Sequence, residues 1–169
     1  MQGRRAAGTG SSAPTRARFA GSTQAGPGGT AGGLQWGSAV DGTRVYTANA
    51  NSNGVSWPLF GGGETTTDGV WSGLDAKTGA MLWQHTPSHG GGTSGPVTTA
   101  NGVVYGCSLD PVGYMYALDA ATGAELWSYA SGGSCLSGAA ISDGMLFWGS
   151  GYSNFGFGTP NNKVYAFGL

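Results

Sequence analysis

An eleven-residue motif occurs twice in this chain, 44 residues apart and identical at eight positions, and this repeat constrains the fold more than any other feature. Residues 73–83 read Gly-Leu-Asp-Ala-Lys-Thr-Gly-Ala-Met-Leu-Trp, and residues 117–127 read Ala-Leu-Asp-Ala-Ala-Thr-Gly-Ala-Glu-Leu-Trp. A third copy begins at residues 164–167, which match residues 115–118. A fixed period of this length is typical of an array of one supersecondary unit.

A second repeated element precedes each copy, and it consists of an Asp-Gly or Asn-Gly pair between two short apolar runs. The pairs are Asp41-Gly42, Asn101-Gly102 and Asp143-Gly144. Such pairs are the strongest short-range signal of a β-hairpin, because both turn residues must accept positive φ. Each unit is therefore two hairpins, or four short strands in roughly 44 residues, which is typical of a β-propeller blade.

The sequence thus predicts an all-β fold, a partial β-propeller. Two complete four-stranded blades are expected at about residues 35–86 and 93–130, and an incomplete blade at 136–169 lacks its outer strand. Propellers close with ~4–8 blades, so we expect a piece of a propeller. Because a blade without its outer strand has an unpaired edge, we also expect self-association through that edge.

The first 33 residues have a different composition from the rest of the chain. Residues 1–33 contain no Val, Ile, Leu, Trp or Tyr. A segment with so little apolar surface to bury cannot offset the entropy lost on ordering. We therefore predict a disordered Gly/Ala/Arg-rich tail at 1–33, followed by the propeller segment at 34–169.

Charge and hydropathy exclude two classes of function. Four of the seven cations precede residue 19, so residues 19–169 carry three cations and eight acids. A nucleic-acid-binding domain needs the opposite balance, and we expect no nucleic-acid partner. No apolar run approaches the ~18 residues of a membrane-spanning helix, and no clear secretory signal is present.

The Asp, Gly and Trp residues that recur in the repeat each have a structural role in the predicted fold. Asp75 and Asp119 precede a Thr-Gly turn, where a short carboxylate can accept hydrogen bonds from backbone N–H groups. Gly79 and Gly123 supply the positive φ that the turn requires. The tryptophans at the ends of the two copies are expected to bury ~150–250 Å² each against the next blade.

This spacing resembles the tryptophan-docking motif of quinoproteins, the propellers that bind pyrroloquinoline quinone. The likeness is closest to the C-terminal part of the polyvinyl-alcohol dehydrogenase-like proteins. It covers residues 32–169, and four stretches carry it: Gly-Gly-Leu-Gln-Trp-Gly-Ser-Ala at 32–39, Ser-Leu-Asp-Pro to Leu-Asp at 108–119, Phe-Trp-Gly-Ser-Gly-Tyr at 147–152, and Asn-Asn-Lys-Val-Tyr-Ala-Phe at 161–167.

The resemblance implies an eight-bladed propeller that holds the quinone with calcium and oxidises an alcohol to a carbonyl. It also implies electron transfer to cytochrome c and a periplasmic or secreted location. The chain departs from the family in lacking a Cys-x-x-Cys-His haem attachment sequence. Two alternatives remain open: a non-catalytic propeller scaffold that binds proteins through rim loops, as an outer-membrane assembly lipoprotein does, and an inactive truncated fragment.

Two residues are candidates for cofactor contact, and no catalytic base is assigned. Trp36 opens the innermost strand of the first unit, where it would stack on a quinone or instead fill the core between inner strands. Asp110 lies in a loop of the same rim, where it would act as a calcium ligand or base or instead cap the turn with Pro111. Trp57 and Glu64, in the long connection at 50–69, belong to the same rim.

Histidines and cysteines give no further site. His85 and His89 are four residues apart in a segment that cannot be helical, so this spacing does not place the imidazoles on one face, and no metal site is predicted. Cys107 and Cys135 lack metal-type spacing. The sequence leaves open whether these two cysteines form a disulfide.

Overall fold

The computed structural model of the chain describes residues 18–154 and 156–168. All regular elements in these ranges are strands, and none of the described residues forms a helix long and apolar enough to cross a membrane. The strands are β1 Ala39–Val40, β2 Arg44–Asn49, β3 Trp57–Pro58, β4 Thr65–Thr66, β5 Val70–Asp75, β6 Met81–His85, β7 Thr98–Ala100, β8 Val103–Cys107, β9 Tyr114–Asp119, β10 Glu125–Ala130, β11 Ala140–Ser142, β12 Met145–Gly149 and β13 Val164–Gly168.

The strands form three antiparallel sheets in chain order. The first sheet has the order β1-β2-β5-β6, the second β7-β8-β9-β10 and the third β11-β12-β13, while β3 and β4 form a separate small hairpin. One buried apolar cluster lies between the first and second sheets, and another lies between the second and third. The all-β partial propeller is therefore confirmed, with two four-stranded blades and one three-stranded blade among the described residues.

Asn101-Gly102 and Asp143-Gly144 form inner hairpin turns as predicted, whereas in Asp41-Gly42 only the glycine has a positive φ, of 93°. Asn101 and Gly102 have φ of 51° and 78°, and Asp143 and Gly144 have φ of 50° and 73°. Positive φ at both central residues defines the tight turn whose twist matches that of the paired strands. These turns fix the register of β7 on β8 and of β11 on β12.

The repeated aspartates organise the outer hairpin turns. Asp75 Oδ1 accepts hydrogen bonds from the backbone N–H of Lys77 (3.0 Å), from the backbone N–H of Thr78 (2.8 Å) and from the Thr78 hydroxyl (2.8 Å). Asp119 makes the same contacts in the second copy. These bonds, the Thr78 hydroxyl first, lower the pKa of Asp75 below its ordinary value, because they favour the ionised carboxylate.

The tryptophan at the end of the first repeat docks on the second sheet. Trp83 is only 5% exposed, and its Nε1 donates to the carbonyl of Ala120 at 3.1 Å. A Cβ on Gly123 would lie 2.4 Å from the Trp83 ring, so this position must remain a glycine for the indole to approach. A Cβ on Gly73 would also lie 2.4 Å from the ring. The indole is thus held between a glycine of its own sheet and one of the next.

The second repeat tryptophan lies in a looser seam. Trp127 is only partly buried, and it packs edge-to-face on Phe167 with ring centroids 4.9 Å apart. Trp148 of β12 fills the interior of this seam and donates its Nε1 to Ser137 O at 2.8 Å. In both seams a repeat tryptophan packs against the next sheet, but Trp127 is less buried than Trp83.

A disulfide joins the second and third sheets, which resolves the question left open by the sequence. Cys107 at the end of β8 is bonded to Cys135 in the segment before β11, with Cα atoms 5.7 Å apart. Both residues are fully buried. The bond ties the end of a central strand to the connection that leads into the next blade.

The disordered tail predicted for residues 1–33 is corrected where the structure describes it. Ala25 is buried, and its carbonyl accepts hydrogen bonds from Ser72 Oγ and Gln84 Nε2, both at 3.2 Å. The prediction considered only apolar side chains, whereas this segment is held through its backbone carbonyls and its small residues. Residues 1–17 lie outside the described residues.

Candidate functional site

The connections between strands lie at two opposite ends of the sheets. Because the strands are antiparallel, the tight turns β1–β2, β5–β6 and their counterparts share one end, which we call the turn face. The longer connections share the other end, which we call the loop face. Backbone bonds link these longer segments, as in Leu109 N to Gly92 O at 2.8 Å and Cys135 N to Ser108 O at 3.1 Å. The loop-face segments are 26–38, 50–69, 86–97, 108–113, 131–139 and 150–163.

The loop face holds a cavity of about 440 Å³ to which the connections of all three sheets contribute. A neighbouring cavity of about 510 Å³ shares the side chains of Trp36, Leu136 and Tyr152. Cavities of this size accept small ligands or a few side chains of a partner. The residues that line the first cavity include Trp36, Asn51, Asp68, Ser94, Leu109 and Tyr152.

Hydrogen bonds between loops fix the walls of this cavity. Asn51 Nδ2 donates to the carbonyls of Val55 (2.9 Å) and Asp68 (3.0 Å), which closes the connection 50–69 on itself. Asp68 Oδ1 then accepts from the Gly91 N–H at 2.8 Å and joins this connection to the next one. The cavity is therefore formed by loops that restrain one another.

A serine plays the corresponding role between the second and third sheets. Ser134 Oγ donates to Asp110 O at 2.7 Å and accepts from Thr159 N at 2.8 Å. Its carbonyl accepts from the N–H groups of Gly151 and Tyr152. These contacts, together with the nearby disulfide, hold three loop-face segments in one arrangement.

Trp36 lies in the connection that leads into β1, three residues before the strand begins. Its side chain is 56% exposed and lines both loop-face cavities. It is therefore not an aromatic of the core between inner strands. The indole presents an open face to the cavity, and its contact with a cofactor stays a prediction.

Asp110 is engaged with its own loop. Its Oδ1 accepts from the N–H groups of Val112 (2.8 Å) and Gly113 (3.0 Å), and its Oδ2 accepts from the hydroxyl of Ser108. These bonds account for the residue as a cap of the turn that contains Pro111. Its role as a calcium ligand or base stays a prediction. Among the described residues, Asp110 lines neither of the two cavities that Trp36 lines.

The two histidines have different environments. His85 Nε2 lies 3.7 Å from Glu125 Oε2, and burial lowers the pKa of His85 despite that carboxylate. His89 stacks on the ring of Tyr114 with centroids 3.8 Å apart. Both imidazoles therefore contact the second sheet and help to join it to the first.

The described residues do not fit pyrroloquinoline quinone and calcium. The quinone carries three carboxylates, which require cationic partners in a buried site. No Lys or Arg of the described residues lines the 440 Å³ cavity, and Asp68 adds a carboxylate of its own. The described part of the chain also holds no group of three His, Cys, Asp or Glu side chains able to bind a metal ion.

Exposed apolar side chains distinguish the loop face from the turn face. Among the described residues, the turn face carries charged side chains such as Asp41, Asp75 and Lys77, and the exposed Val40 at the end of β1 adjoins it. Contiguous exposed apolar surface is characteristic of interaction sites. The loop-face segments carry six exposed large apolar residues among those described: Leu34, Trp36, Val55, Phe60, Val112 and Phe157.

Sequence reasoning found Trp36 and missed most of the other residues at this site. Asp68, Ser134 and Tyr152 are placed by hydrogen bonds between loops, and no local pattern reports such contacts. Trp57 and Glu64, noted in the sequence, lie beside or within the small β3–β4 hairpin, and Trp57 Nε1 donates to Gln84 Oε1 at 3.3 Å. Apart from Trp36, only residues in a repeated or locally paired motif gave a usable signal.

The sheets, the docking tryptophan and the loop face define a segment of a β-propeller built from pyrroloquinoline-quinone (PQQ)-like repeats. Residues 66–167 match the family described as outer membrane protein assembly factor BamB. The chain belongs to this family of propellers. The match does not extend to the narrower polyvinyl-alcohol dehydrogenase-like branch. No curated protein matches the chain.

Proposed function

We propose that this chain is part of a non-catalytic propeller scaffold that binds polypeptides on its loop face during outer membrane protein assembly. The observation that supports it is the set of exposed apolar side chains in the loop-face segments, two of which, Trp36 and Phe157, line the same cavity. Membership of the assembly-factor family points the same way. An extended polypeptide with apolar side chains would remove this surface from water, which is energetically favourable.

The disulfide supports a location outside the cytoplasm. Disulfides form and persist in oxidising compartments such as the bacterial periplasm. The Cys107–Cys135 bond joins a buried residue at the end of β8 to a buried residue in the connection that leads into the third sheet. We therefore place the working protein in the periplasm or among secreted proteins, which agrees with a role in outer membrane assembly.

The experiment measures binding of a dye-labelled peptide with the pattern of a transmembrane β-strand, about ten residues of alternating apolar and polar type. Phe157→Ser and Val112→Ser remove apolar side chains from the loop face. Leu82→Ser is the matched control, since Leu82 is an exposed apolar residue on β6, away from the loop face. We expect both loop-face variants to weaken binding several-fold in fluorescence anisotropy, and the control to bind as the wild type. Equal binding by all four proteins would contradict the proposal.

A second candidate is quinone-dependent oxidation of an alcohol, with cytochrome c as the electron acceptor. The observation that favours it is the open face of Trp36 beside a cavity of about 440 Å³. It requires cationic side chains that the described cavity residues do not supply. Titration of the chain with pyrroloquinoline quinone and calcium, followed by absorbance, separates the candidates. Stoichiometric binding that is lost in Trp36→Ala supports the enzyme, and no binding supports the scaffold.

A further inference from the structure

The loop-face cavity of about 440 Å³ has one charged side chain in its wall, and that side chain is acidic. Asp68 lines the cavity, and none of the described Lys, Arg and His residues does. Its Oδ1 accepts from the Gly91 N–H at 2.8 Å, whereas no described residue donates to its Oδ2. Because an ionised carboxylate can only accept hydrogen bonds, this second oxygen is available to a donor on a ligand.

The charges of the whole loop face have the same sign as this carboxylate. With histidine counted as neutral, the loop-face segments carry three carboxylates, Glu64, Asp68 and Asp110, and one cation, Lys163. Lys163 is the last residue of its segment, and it lines neither loop-face cavity. Clefts lined by charges of one sign attract ligands of the opposite sign. The loop face therefore favours a cationic ligand over an anionic one.

An exposed indole lines the same cavity as the carboxylate. Trp36 is 56% exposed, so its ring is open to a ligand. A cation that lies over the face of a tryptophan is attracted by the charge distribution of the ring. The planar guanidinium of arginine can stack on an aromatic ring and also pair with a carboxylate through its fork of N–H groups. An arginine side chain would therefore use both Asp68 and Trp36.

The other walls of the cavity suit the apolar parts of such a ligand. Phe157 is 71% exposed, and Leu109 and Leu136 are partly buried in the same wall. The amide of Asn51 is already bonded to Val55 and to the backbone of Asp68. A long cationic side chain packs its aliphatic part on apolar surface while its charged end reaches a polar group. The cavity thus provides apolar walls and one carboxylate.

We propose that this cavity receives an arginine side chain of the bound polypeptide, which pairs with Asp68 and stacks on Trp36. The proposal rests on the scaffold function, and it narrows the ligand to polypeptide segments in which an arginine is flanked by apolar residues. Segments with a carboxylate at the same position are selected against, because like charges brought together at an interface repel each other.

The test uses three dye-labelled versions of the strand-pattern peptide, which carry Arg, Gln or Glu at one central polar position. Asp68→Asn removes the charge of the cavity and keeps an oxygen that can accept the Gly91 N–H. Trp36→Leu keeps an apolar side chain and removes the ring. Asp143→Asn is the matched control, since it makes the same change of charge at an exposed residue of the turn face. Fluorescence anisotropy with the full chain gives the affinities.

We expect the wild type to bind the Arg peptide roughly 3- to 10-fold more tightly than the Gln peptide, and the Glu peptide most weakly. Asp68→Asn and Trp36→Leu each reduce the preference for Arg by at least ~2-fold, and Asp143→Asn retains it. A full preference in Asp68→Asn overturns the pairing, and a full preference in Trp36→Leu overturns the stacking. Equal binding of all three peptides to the wild type overturns the arginine site and leaves the scaffold function standing. No binding of any peptide overturns both.

Discussion

At the scale of the residue, the seam between the first two sheets depends on the fit of one indole between two glycines. Trp83 is held by Gly73 on its own sheet and by Gly123 on the next, and its N–H is satisfied by a backbone carbonyl. Trp127 has the same place in the repeat, but it is only partly buried and packs on Phe167. Matched positions in a repeat therefore differ in what they contribute to stability.

The first prediction compares these two tryptophans. Trp83→Ala is expected to lower the free energy of unfolding by ~3–5 kcal/mol, the usual cost of emptying a large aromatic core site. Trp127→Ala is expected to cost about 1–3 kcal/mol, because less of its area is buried. Urea denaturation of both variants gives the comparison. Equal losses would contradict the difference between the seams.

The second prediction separates the steric effect of the Trp83 ring on Gly123 from the backbone strain that a positive φ causes in any other residue. Gly123 and Gly102 have φ of 75° and 78°, but a Cβ on Gly123 would lie 2.4 Å from the Trp83 ring, and one on Gly102 meets nothing within 4 Å. Gly102→Ala is expected to cost about 1–2 kcal/mol from left-handed backbone strain alone. Gly123→Ala adds about 1–3 kcal/mol from overpacking. If thermal denaturation gives the same loss for both, the indole does not dock on Gly123.

At the scale of the element, each outer turn is held by one carboxylate that accepts several hydrogen bonds. The inner turn of the first sheet uses the same device, since Asp41 accepts from Tyr46 Oη at 2.5 Å and from the N–H groups of Thr43 and Arg44 at 2.8 Å. These bonds, that from Tyr46 first, lower the pKa of Asp41. Among the described residues, the carboxylates whose pKa is clearly lowered are Asp41, Asp75 and Asp119, and all three lie at these turns.

These carboxylates predict how stability depends on acid. The folded-state pKa values of Asp41, Asp75 and Asp119 lie below the ordinary value of 3.8. The folded state therefore binds fewer protons than the unfolded state near pH 4, and stability falls as the pH is lowered through that value. Urea midpoints at pH 7 and pH 3 measure this fall. The double variant Asp75→Asn, Asp119→Asn is expected to show a smaller fall, and an unchanged fall would contradict the assignment.

The disulfide predicts the strength of the link between the second and third sheets. Closing the loop between Cys107 and Cys135, which are separated by 28 residues, stabilises a chain by about 3–4 kcal/mol. The variant with both cysteines changed to serine is expected to lose this amount in urea denaturation. Added reductant should lower the midpoint of the wild type and leave the variant unchanged. A wild type that is insensitive to complete reduction would show that the hydrogen bonds of Ser134 suffice.

At the scale of the whole molecule, the third sheet ends in β13, which pairs with β12 and with no other strand among the described residues. Val164 of β13 is 76% exposed, and the apolar groove beside this strand is lined by Trp127 and Phe167. Unpaired edges recruit further strands, so we expect the 169-residue chain on its own to self-associate. Val164→Lys places a charge on that edge and is expected to shift the chain towards the monomer in light scattering. A monodisperse wild-type monomer would contradict this prediction.

The repeats explain how far the sequence could predict the structure. The Asp turns, the glycines and Trp83 were predictable, because their contacts lie within one unit or recur at a fixed interval. The backbone contacts of Ala25, the Ser134 contacts and the Cys107–Cys135 bond were not, because each joins residues far apart in sequence without a local pattern. The apolar loop face was likewise invisible, since exposure depends on which side chains the sheets leave uncovered.

The most direct test of the account is hydrogen exchange of the chain with and without the strand-pattern peptide. If the loop face binds polypeptides, protection should increase in segments 50–69, 108–113 and 150–163, and remain unchanged in the turns at 76–80 and 120–124. The same experiment with pyrroloquinoline quinone and calcium should leave exchange unaltered. Protection of the turns by the peptide, or protection around Trp36 by the quinone alone, would contradict the scaffold function.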